Sequence, residues 1–217
     1  MLIPMWAQHK VKSNYEKYSQ VRSTSGKTGR EVAEEILHAN GIYDVDVVKG
    51  EGFLTDHYDP NKKVVCLSPA NFDRPSVAGT AIAAHEVGHA IQHQQGYAFL
   101  RFRTALVPLA NIGSSLSYII IMAGIFLTAL GSAFGSTALW IGAGLMSLAV
   151  LFSIVTLPVE FDASSRAMKQ ITALNIVNEK EYKHARKVLS AAAMTYVAAT
   201  ATAVAELVRI CLLYTSD

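Results

Sequence analysis

The chain has 217 residues, 51% of them hydrophobic and 17% charged, and a formal net charge of +2. Its two cysteines exclude a disulfide framework, and the lack of a basic, aromatic-rich patch argues against nucleic acid as a partner. The charges are distributed unevenly along the chain, and the long central stretch without any charge points to a membrane protein.

The first 17 residues begin with an apolar segment, Met1–Ala7, which is followed by Lys10, Lys12 and Lys17. This segment is too short to span a bilayer, and a signal peptide carries its charges before its apolar part, not after it. We therefore expect the remnant of an N-terminal membrane helix followed by a juxtamembrane segment.

A small α/β unit is predicted next. Thr28 and Glu31 have the spacing of a capping box, which predicts a helix through Ala39. Valine-rich alternation predicts strands at Asp44–Lys49 and Lys63–Ser68, and the residues between them predict a turn. One of these strands could offer a sheet edge to an extended peptide.

A further helix is predicted over Val77–Gln94, with Ser76 as its cap and Gly96 as its stop. Alanine is frequent in this segment and proline is absent, and both features favour a helix. Its apolar stripe consists largely of small residues, which suits a helix buried inside the protein.

Residues 85–89 of this helix read His-Glu-Val-Gly-His. His85 and His89 are four residues apart and share one helix face, where both imidazoles can bind one zinc ion. Glu86 can then take a proton from a water on that zinc. A chain of this composition is expected to contain only about 0.01 accidental matches, so we favour a metal site over two unrelated surface histidines.

A catalytic zinc site needs a third protein ligand. In one class of zinc enzymes the third ligand is a histidine in the pattern His-Glu-x-x-His-x-x-Gly-x-x-His. This chain does not match that pattern, because Gln92 replaces the glycine and Gln95 replaces the last histidine. His93 lies one turn beyond His89. It could donate a hydrogen bond to a metal ligand or serve as an alternate ligand itself, or it could be an ordinary polar residue of the helix.

A glutamate from a later helix is the alternative source of the third ligand. Glu160 is the best candidate, because it ends the uncharged stretch and follows Pro158, which can start a helix. Asp162 could support a ligand from nearby. Glu179 and Glu181 are weaker candidates, because the second of them has the spacing of a capping residue.

The 56 residues Thr104–Val159 contain no charged residue and no histidine. Leu116–Phe134 and Ala138–Leu157 are each long enough to span a bilayer, with a turn predicted at Gly135–Thr137. These features predict a transmembrane hairpin, with two buried core helices as the alternative. A hairpin returns the chain to the side that it left, so the zinc helix and Glu160 would lie at the same membrane face.

Basic residues flank the hairpin on both sides: Arg101 and Arg103 precede it, and Arg166 and Lys169 follow it. The positive-inside rule therefore predicts a cytoplasmic active site, and the lack of a disulfide framework agrees with that compartment. The alanine-rich segment Val188–Leu213 could form a third span or pack against the catalytic part.

Five stretches resemble the YugP-type neutral zinc metallopeptidases of bacterial membranes, and the resemblance covers the chain to about residue 209. They are Tyr18–Ser23, Leu54–Pro60, Ala84–His93, Leu106–Ser115 and Leu157–Ala167. The resemblance implies one zinc ion per chain, held by His85, His89 and Glu160, with Glu86 as the catalytic base. Related enzymes often carry Asp four residues after the ligand glutamate, where this chain has Ser164.

The predicted fold is α+β and mostly helical, with a zincin-like metallopeptidase core and a transmembrane helical hairpin. The expected parts are the membrane-helix remnant at 1–17, a catalytic part at 18–103, the hairpin at 104–159, C-terminal helices with the third ligand at 160–210, and a non-native tail at 211–217.

The predicted function is hydrolysis of peptide bonds in a peptide or protein substrate, which could itself be membrane-associated, by an integral membrane endopeptidase. His184, Tyr182 and Tyr196 could stabilise the oxyanion, although each could equally be structural. The alternative function is a zinc-stabilised membrane scaffold or binding protein without turnover, because the motif by itself does not establish catalysis.

Overall fold

The computed structural model describes the backbone of residues 2–214 and the side chains of residues 3–212. The described chain forms seven helices and three strands. They are α1 (Leu2–Ser19), α2 (Gly29–Ala39), β1 (Asp46–Lys49), β2 (His57–Asp59), β3 (Val64–Leu67), α3 (Pro69–Asp73), α4 (Val77–Gln94), α5 (Ala98–Ala129), α6 (Phe134–Ala173) and α7 (Glu179–Tyr214). The prediction of a mostly helical α+β fold is confirmed.

Local signals account for α2 and α4. Thr28 and Glu31 form the predicted capping box of α2. The Ser76 hydroxyl accepts a hydrogen bond from the backbone N–H of Gly79, and α4 has the bounds that the sequence predicts. Gly96 follows α4 with a φ of +62°, a left-handed conformation that glycine adopts without strain.

The sheet has the strand order β1-β3-β2, with β1 parallel and β2 antiparallel to β3. Only a turn was predicted where β2 forms. The strand is possible because Asp59 accepts hydrogen bonds from the N–H groups of Asn61 and Lys62, which folds the chain back onto β3. This makes β2 an edge strand of the sheet.

Helix α4 is the most buried helix of the catalytic part. It packs against α2 on one side and against α6 and α7 on the other. A Cβ atom added at Gly88 would lie 2.6 Å from the backbone oxygen of Ala163 on α6, which is closer than packing allows. The glycine inside the His-Glu-Val-Gly-His segment therefore lets the metal-site helix approach the helix that carries Glu160.

The hairpin forms, but its predicted turn at Gly135–Thr137 is wrong. Helix α5 ends at Ala129, and Gly131 closes the turn with a φ of +73°. Gly135 lies inside α6, where its missing side chain leaves room for Thr128 of α5. Both glycines are thus needed, but the second serves helix packing and not chain reversal.

The prediction that a helix starts at Pro158 is also wrong, because α6 continues through this residue. A break here would leave several backbone groups without partners in apolar surroundings, whereas a continuous helix lacks only the one hydrogen bond that the proline nitrogen cannot donate. As a result Glu160 lies on the same helix as the second apolar segment.

Helices α5, α6 and α7 are long and apolar enough to cross a membrane, judged by length and composition. Leu207 and Ile210 of α7 pack against a cluster that includes Ile121 of α5 and Leu139 of α6. Helix α7 therefore follows the hairpin along much of its length, after its first half has packed against α4.

The two ends of the chain were predicted to be a membrane-helix remnant and a non-native tail. Ile3, Met5 and Trp6 are exposed on the first turns of α1. Of the predicted tail, residues 211–214 continue α7, whereas residues 215–217 and the side chains of residues 213 and 214 lie outside the described part.

Candidate metal centre

Three side chains from α4 and α6 meet at one point. The Nε2 atom of His85 lies 3.3 Å from Oε2 of Glu160, and Nε2 of His89 lies 3.7 Å from the same oxygen. Both histidines come from one face of α4, one turn apart, and Glu160 faces them from α6. Their donor atoms form the one metal-ligand group of at least three His, Cys, Asp or Glu side chains found among the described residues.

This donor set fits zinc. Two imidazole nitrogens and one carboxylate oxygen are ligands that zinc accepts in catalytic sites. Ligand atoms on a tetrahedral zinc with bonds of about 2.0–2.1 Å are roughly 3.3 Å apart, which is close to the two spacings above. Glu160 is buried and the histidines are nearly so, which is costly for a carboxylate without a cation.

Gln92 sets the orientation of the His89 ring. Its side-chain N–H groups donate to the Val159 carbonyl and to an Asp162 oxygen, both at 2.8 Å. Its own oxygen must then face His89, whose Nδ1–H donates to it at 3.0 Å. This tautomer leaves the Nε2 lone pair of His89 directed at the metal centre.

Ser164 plays the corresponding part for the other histidine. Its hydroxyl lies 3.1 Å from Nδ1 of His85, so an Nδ1–H group can donate to it while Nε2 faces Glu160. This is the position at which the family resemblance led us to expect Asp. Asp162 does not contact a metal ligand directly. It accepts hydrogen bonds from Gln92, which contacts His89, and from Arg166.

Glu86 lies beside the metal centre, at the wall of a cleft of about 470 Å³ that also exposes His85, His89 and Glu160. The side chain is 8% exposed. Burial raises the pKa of the Glu86 carboxyl above its usual value, which makes it a better proton acceptor once ionised. The cleft is large enough for part of a ligand to reach both the Glu86 carboxyl and the three metal-ligand side chains.

In the sequence, Arg103 served only to infer membrane orientation, and its position in the lining of the cleft was not predicted. Its guanidinium lies 3.8 Å from Glu160, and its Nε atom is buried without a hydrogen-bond partner among the described residues. Of the three oxyanion candidates, Tyr196 lines the cleft. Tyr182 lines another groove and His184 stacks on Tyr18, so neither of them borders the cleft.

His93 and Glu181 do not join the metal centre. The Tyr58 hydroxyl lies 2.8 Å from Nδ1 of His93, which ties the end of α4 to β2. Glu181 accepts hydrogen bonds from the backbone and hydroxyl of Thr24 and from the Asn178 N–H. Neither side chain lines the cleft itself; His93 holds the cleft-lining Tyr58 in place, and Glu181 joins the start of α7 to the loop at Thr24.

Residues 1–215 match the family described as "Putative neutral zinc metallopeptidase". The chain belongs to this family. It is also 44% identical, over 212 residues, to the "Putative membrane protease YugP" of Bacillus subtilis (strain 168); the match covers 98% of this chain and 92% of that protein. No solved structure matches the chain. The zinc metallopeptidase family thus agrees with the donor set that the fold brings together, and the resemblance inferred from the sequence is confirmed.

Proposed function

We propose that the protein is a membrane-bound, zinc-dependent endopeptidase whose metal is held by His85, His89 and Glu160. The observation that carries the proposal is the convergence of these three side chains, from two helices, at the wall of an open cleft. A structural zinc site is usually closed by four protein ligands. Three ligands beside an open cleft support catalysis rather than the scaffold alternative.

Bound zinc would supply a more acidic water and a positive charge for the scissile carbonyl. The carboxylate of Glu86 accepts the proton of the attacking water and passes it to the leaving amine. The hydrogen bonds of Gln92 and Ser164 keep the two imidazoles oriented, so little reorganisation is needed during the reaction. Arg103 lines the same cleft beside Glu160, and its buried Nε–H group has no hydrogen-bond partner among the described residues.

The edge strand β2 offers a way to hold an extended peptide. His57 and Tyr58 of this strand line the same cleft as the metal centre. An extended chain can add to a sheet edge through backbone hydrogen bonds, independently of its sequence. We therefore propose peptides or proteins as substrates, including those that emerge from the membrane surface.

The membrane setting supports a cytoplasmic active site. Helices α5 and α6 leave the catalytic part and return to it, and the turn at residues 130–133 carries no charge. The arginines at the catalytic end, such as Arg101 and Arg166, then satisfy the positive-inside rule only if that end faces the cytoplasm.

Zinc stoichiometry tests the ligand assignment. The full chain purified in detergent should contain one zinc ion per chain, and His89→Ala and Glu160→Gln should each lose most of it. His93→Ala is the matched control, because it removes an imidazole one turn further along the same helix and should leave zinc unchanged. Full zinc content in Glu160→Gln, or loss of zinc in His93→Ala, would move the third ligand elsewhere.

A further inference from the structure

Two adjoining grooves outside the catalytic cleft are lined by cations and by no acidic side chain. One groove, of about 990 Å³, lies between α6 and α7, and the other, of about 670 Å³, lies between α1 and α7. They share Arg186, Ser190 and Met194 of α7. Six exposed cations line the pair: Lys10, Lys17, Lys169, Lys183, Arg186 and Lys187.

These six cations have no carboxylate partner within the described part of the chain. Three lysines near the sheet differ from them, because Lys49, Lys62 and Lys63 each pair with an aspartate. Several like charges close together repel one another, and an anion seated among them would remove that repulsion. The grooves are therefore complementary to a negatively charged ligand.

The grooves extend toward the membrane end of α7. Tyr18, at the end of α1, stacks on His184, near the start of α7. The groove between these helices is lined by α1 from Lys10 to Tyr18 and by α7 from Lys183 to Met194, so the two helices run antiparallel. Lys10 accordingly lies toward the apolar part of α7, and its ammonium group lies 4.8 Å from the centre of the exposed Trp6 ring. A tryptophan next to a lysine is typical of the boundary between headgroups and acyl chains.

Distances along α7 place the cations at a suitable depth. Ile210 packs in the cluster near the far end of the hairpin, and Arg186 precedes it by 24 residues, or about 36 Å of helix. This length is close to a hydrocarbon core of about 30 Å plus one headgroup layer. The exposed side chains of Phe161 and Met194 line the grooves on the membrane side and provide apolar surface for acyl chains.

We propose that these grooves bind anionic phospholipid, with the headgroup phosphate among Lys10, Arg186 and Lys187 and the acyl chains along the apolar surface below. The proposal rests on the membrane insertion of α6 and α7 and not on peptidase activity. Phospholipid is favoured over an acidic polypeptide because apolar surface lies on the membrane side of the cations.

Quenching of Trp6 by brominated lipid tests the proposal. The full chain with Trp140→Phe retains one tryptophan and is reconstituted in phosphatidylcholine bilayers with a small fraction of phosphatidylglycerol, either lipid being brominated in turn. We expect phosphatidylglycerol to quench Trp6 with at least a fivefold preference over phosphatidylcholine. Changing Lys183, Arg186 and Lys187 together to Gln should reduce this preference to about one.

A control variant with the same change in net charge, in which Lys49, Lys62 and Lys63 become Gln, should keep the preference. Should the triple groove variant fail to fold, the single change Lys10→Gln should still lower the preference, although by less than the triple change does. Equal quenching by both lipids, or an unchanged preference in the groove variants, would overturn the proposal. Absence of quenching by either lipid would place Trp6 out of reach of the bilayer and would also overturn the proposal.

Hexaglutamate separates the lipid from an acidic polypeptide. We expect no binding of this peptide to the protein in phosphatidylcholine bilayers that depends on the groove cations. Hexaglutamate binding that is lost in the triple groove variant, together with no preference for phosphatidylglycerol, would assign the grooves to an acidic segment and refute the lipid assignment.

Discussion

Replacing Gln92 by Met should weaken zinc binding without removing a ligand. The side chain is fully buried and links α4 to α6 through the Val159 carbonyl, Asp162 and His89. Met has a similar length and fills the space but can neither donate nor accept these hydrogen bonds strongly. The Nδ1–H group of His89 would then be buried without an acceptor, and the ring would lose its fixed tautomer.

The expected magnitude follows from that lost acceptor. A buried polar group without a partner costs about 1–3 kcal/mol, which corresponds to roughly a fivefold to 150-fold change in an equilibrium constant. Removal of hydrogen bonds that support a ligand typically weakens metal binding by about the same factor. We therefore expect Gln92→Met to lower zinc affinity by about tenfold to hundredfold.

Competition with a chromophoric zinc chelator in detergent measures this affinity. Gln94→Met is the matched control, because it makes the same replacement at an exposed position two residues further along α4. Zinc affinity in Gln92→Met within about threefold of that in Gln94→Met would refute the role assigned to Gln92, provided that both variants keep the helical content of the wild type.

Three further predictions concern the same site. Gly88→Ala should lower the free energy of unfolding by about 1–3 kcal/mol, and with it the melting temperature and the zinc content, because the added Cβ would meet the α6 backbone. Gly144→Ala is the control and should change neither the melting temperature nor the zinc content, because the space around Gly144 is open. Ser164→Ala should weaken zinc binding by about tenfold, because Nδ1 of His85 loses its hydrogen-bond partner. A zinc affinity equal to that of the wild type, measured by chelator competition, would contradict this. Burial by itself lowers the pKa of the His89 imidazole, but the neighbouring carboxylates outweigh it and raise the pKa above the usual value. Zinc must displace that proton, so affinity should fall as pH drops from 8 to 6, and a pH-independent affinity would count against this.

Local signals made the metal-site helix predictable. Ser76 and Gly96 each act within a few residues of the helix end that they set, the alanine-rich run favours helix between them, and α4 has the predicted bounds. His85 and His89 could be placed on one face because a helix fixes the angle between residues four apart. Glu160 could be singled out because a carboxylate at the edge of a long uncharged stretch needs a partner.

Features decided by contacts between helices could not be predicted in this way. Gly131 and Gly135 resemble each other in the sequence, and the choice of turn depends on which of them packs against Thr128. In the sequence, Gln92 was noted only because it occupies the glycine position of the longer three-histidine zinc pattern. Its role depends on Val159 and Asp162, which are about 70 residues away in the sequence. The signal in the sequence was a glutamine about one turn after His89, a residue type that can both donate and accept hydrogen bonds.

The measurement that tests the central claim most directly is peptide hydrolysis by Glu86→Gln. Wild type and variant are purified as full chains in detergent, and zinc content and cleavage of fluorescent casein are followed in the same samples. The proposal predicts one zinc ion per chain in both proteins, chelator-sensitive cleavage by the wild type, and a loss of at least about a hundredfold in the variant. Cleavage by zinc-loaded Glu86→Gln at a rate close to that of the wild type would contradict the proposed mechanism.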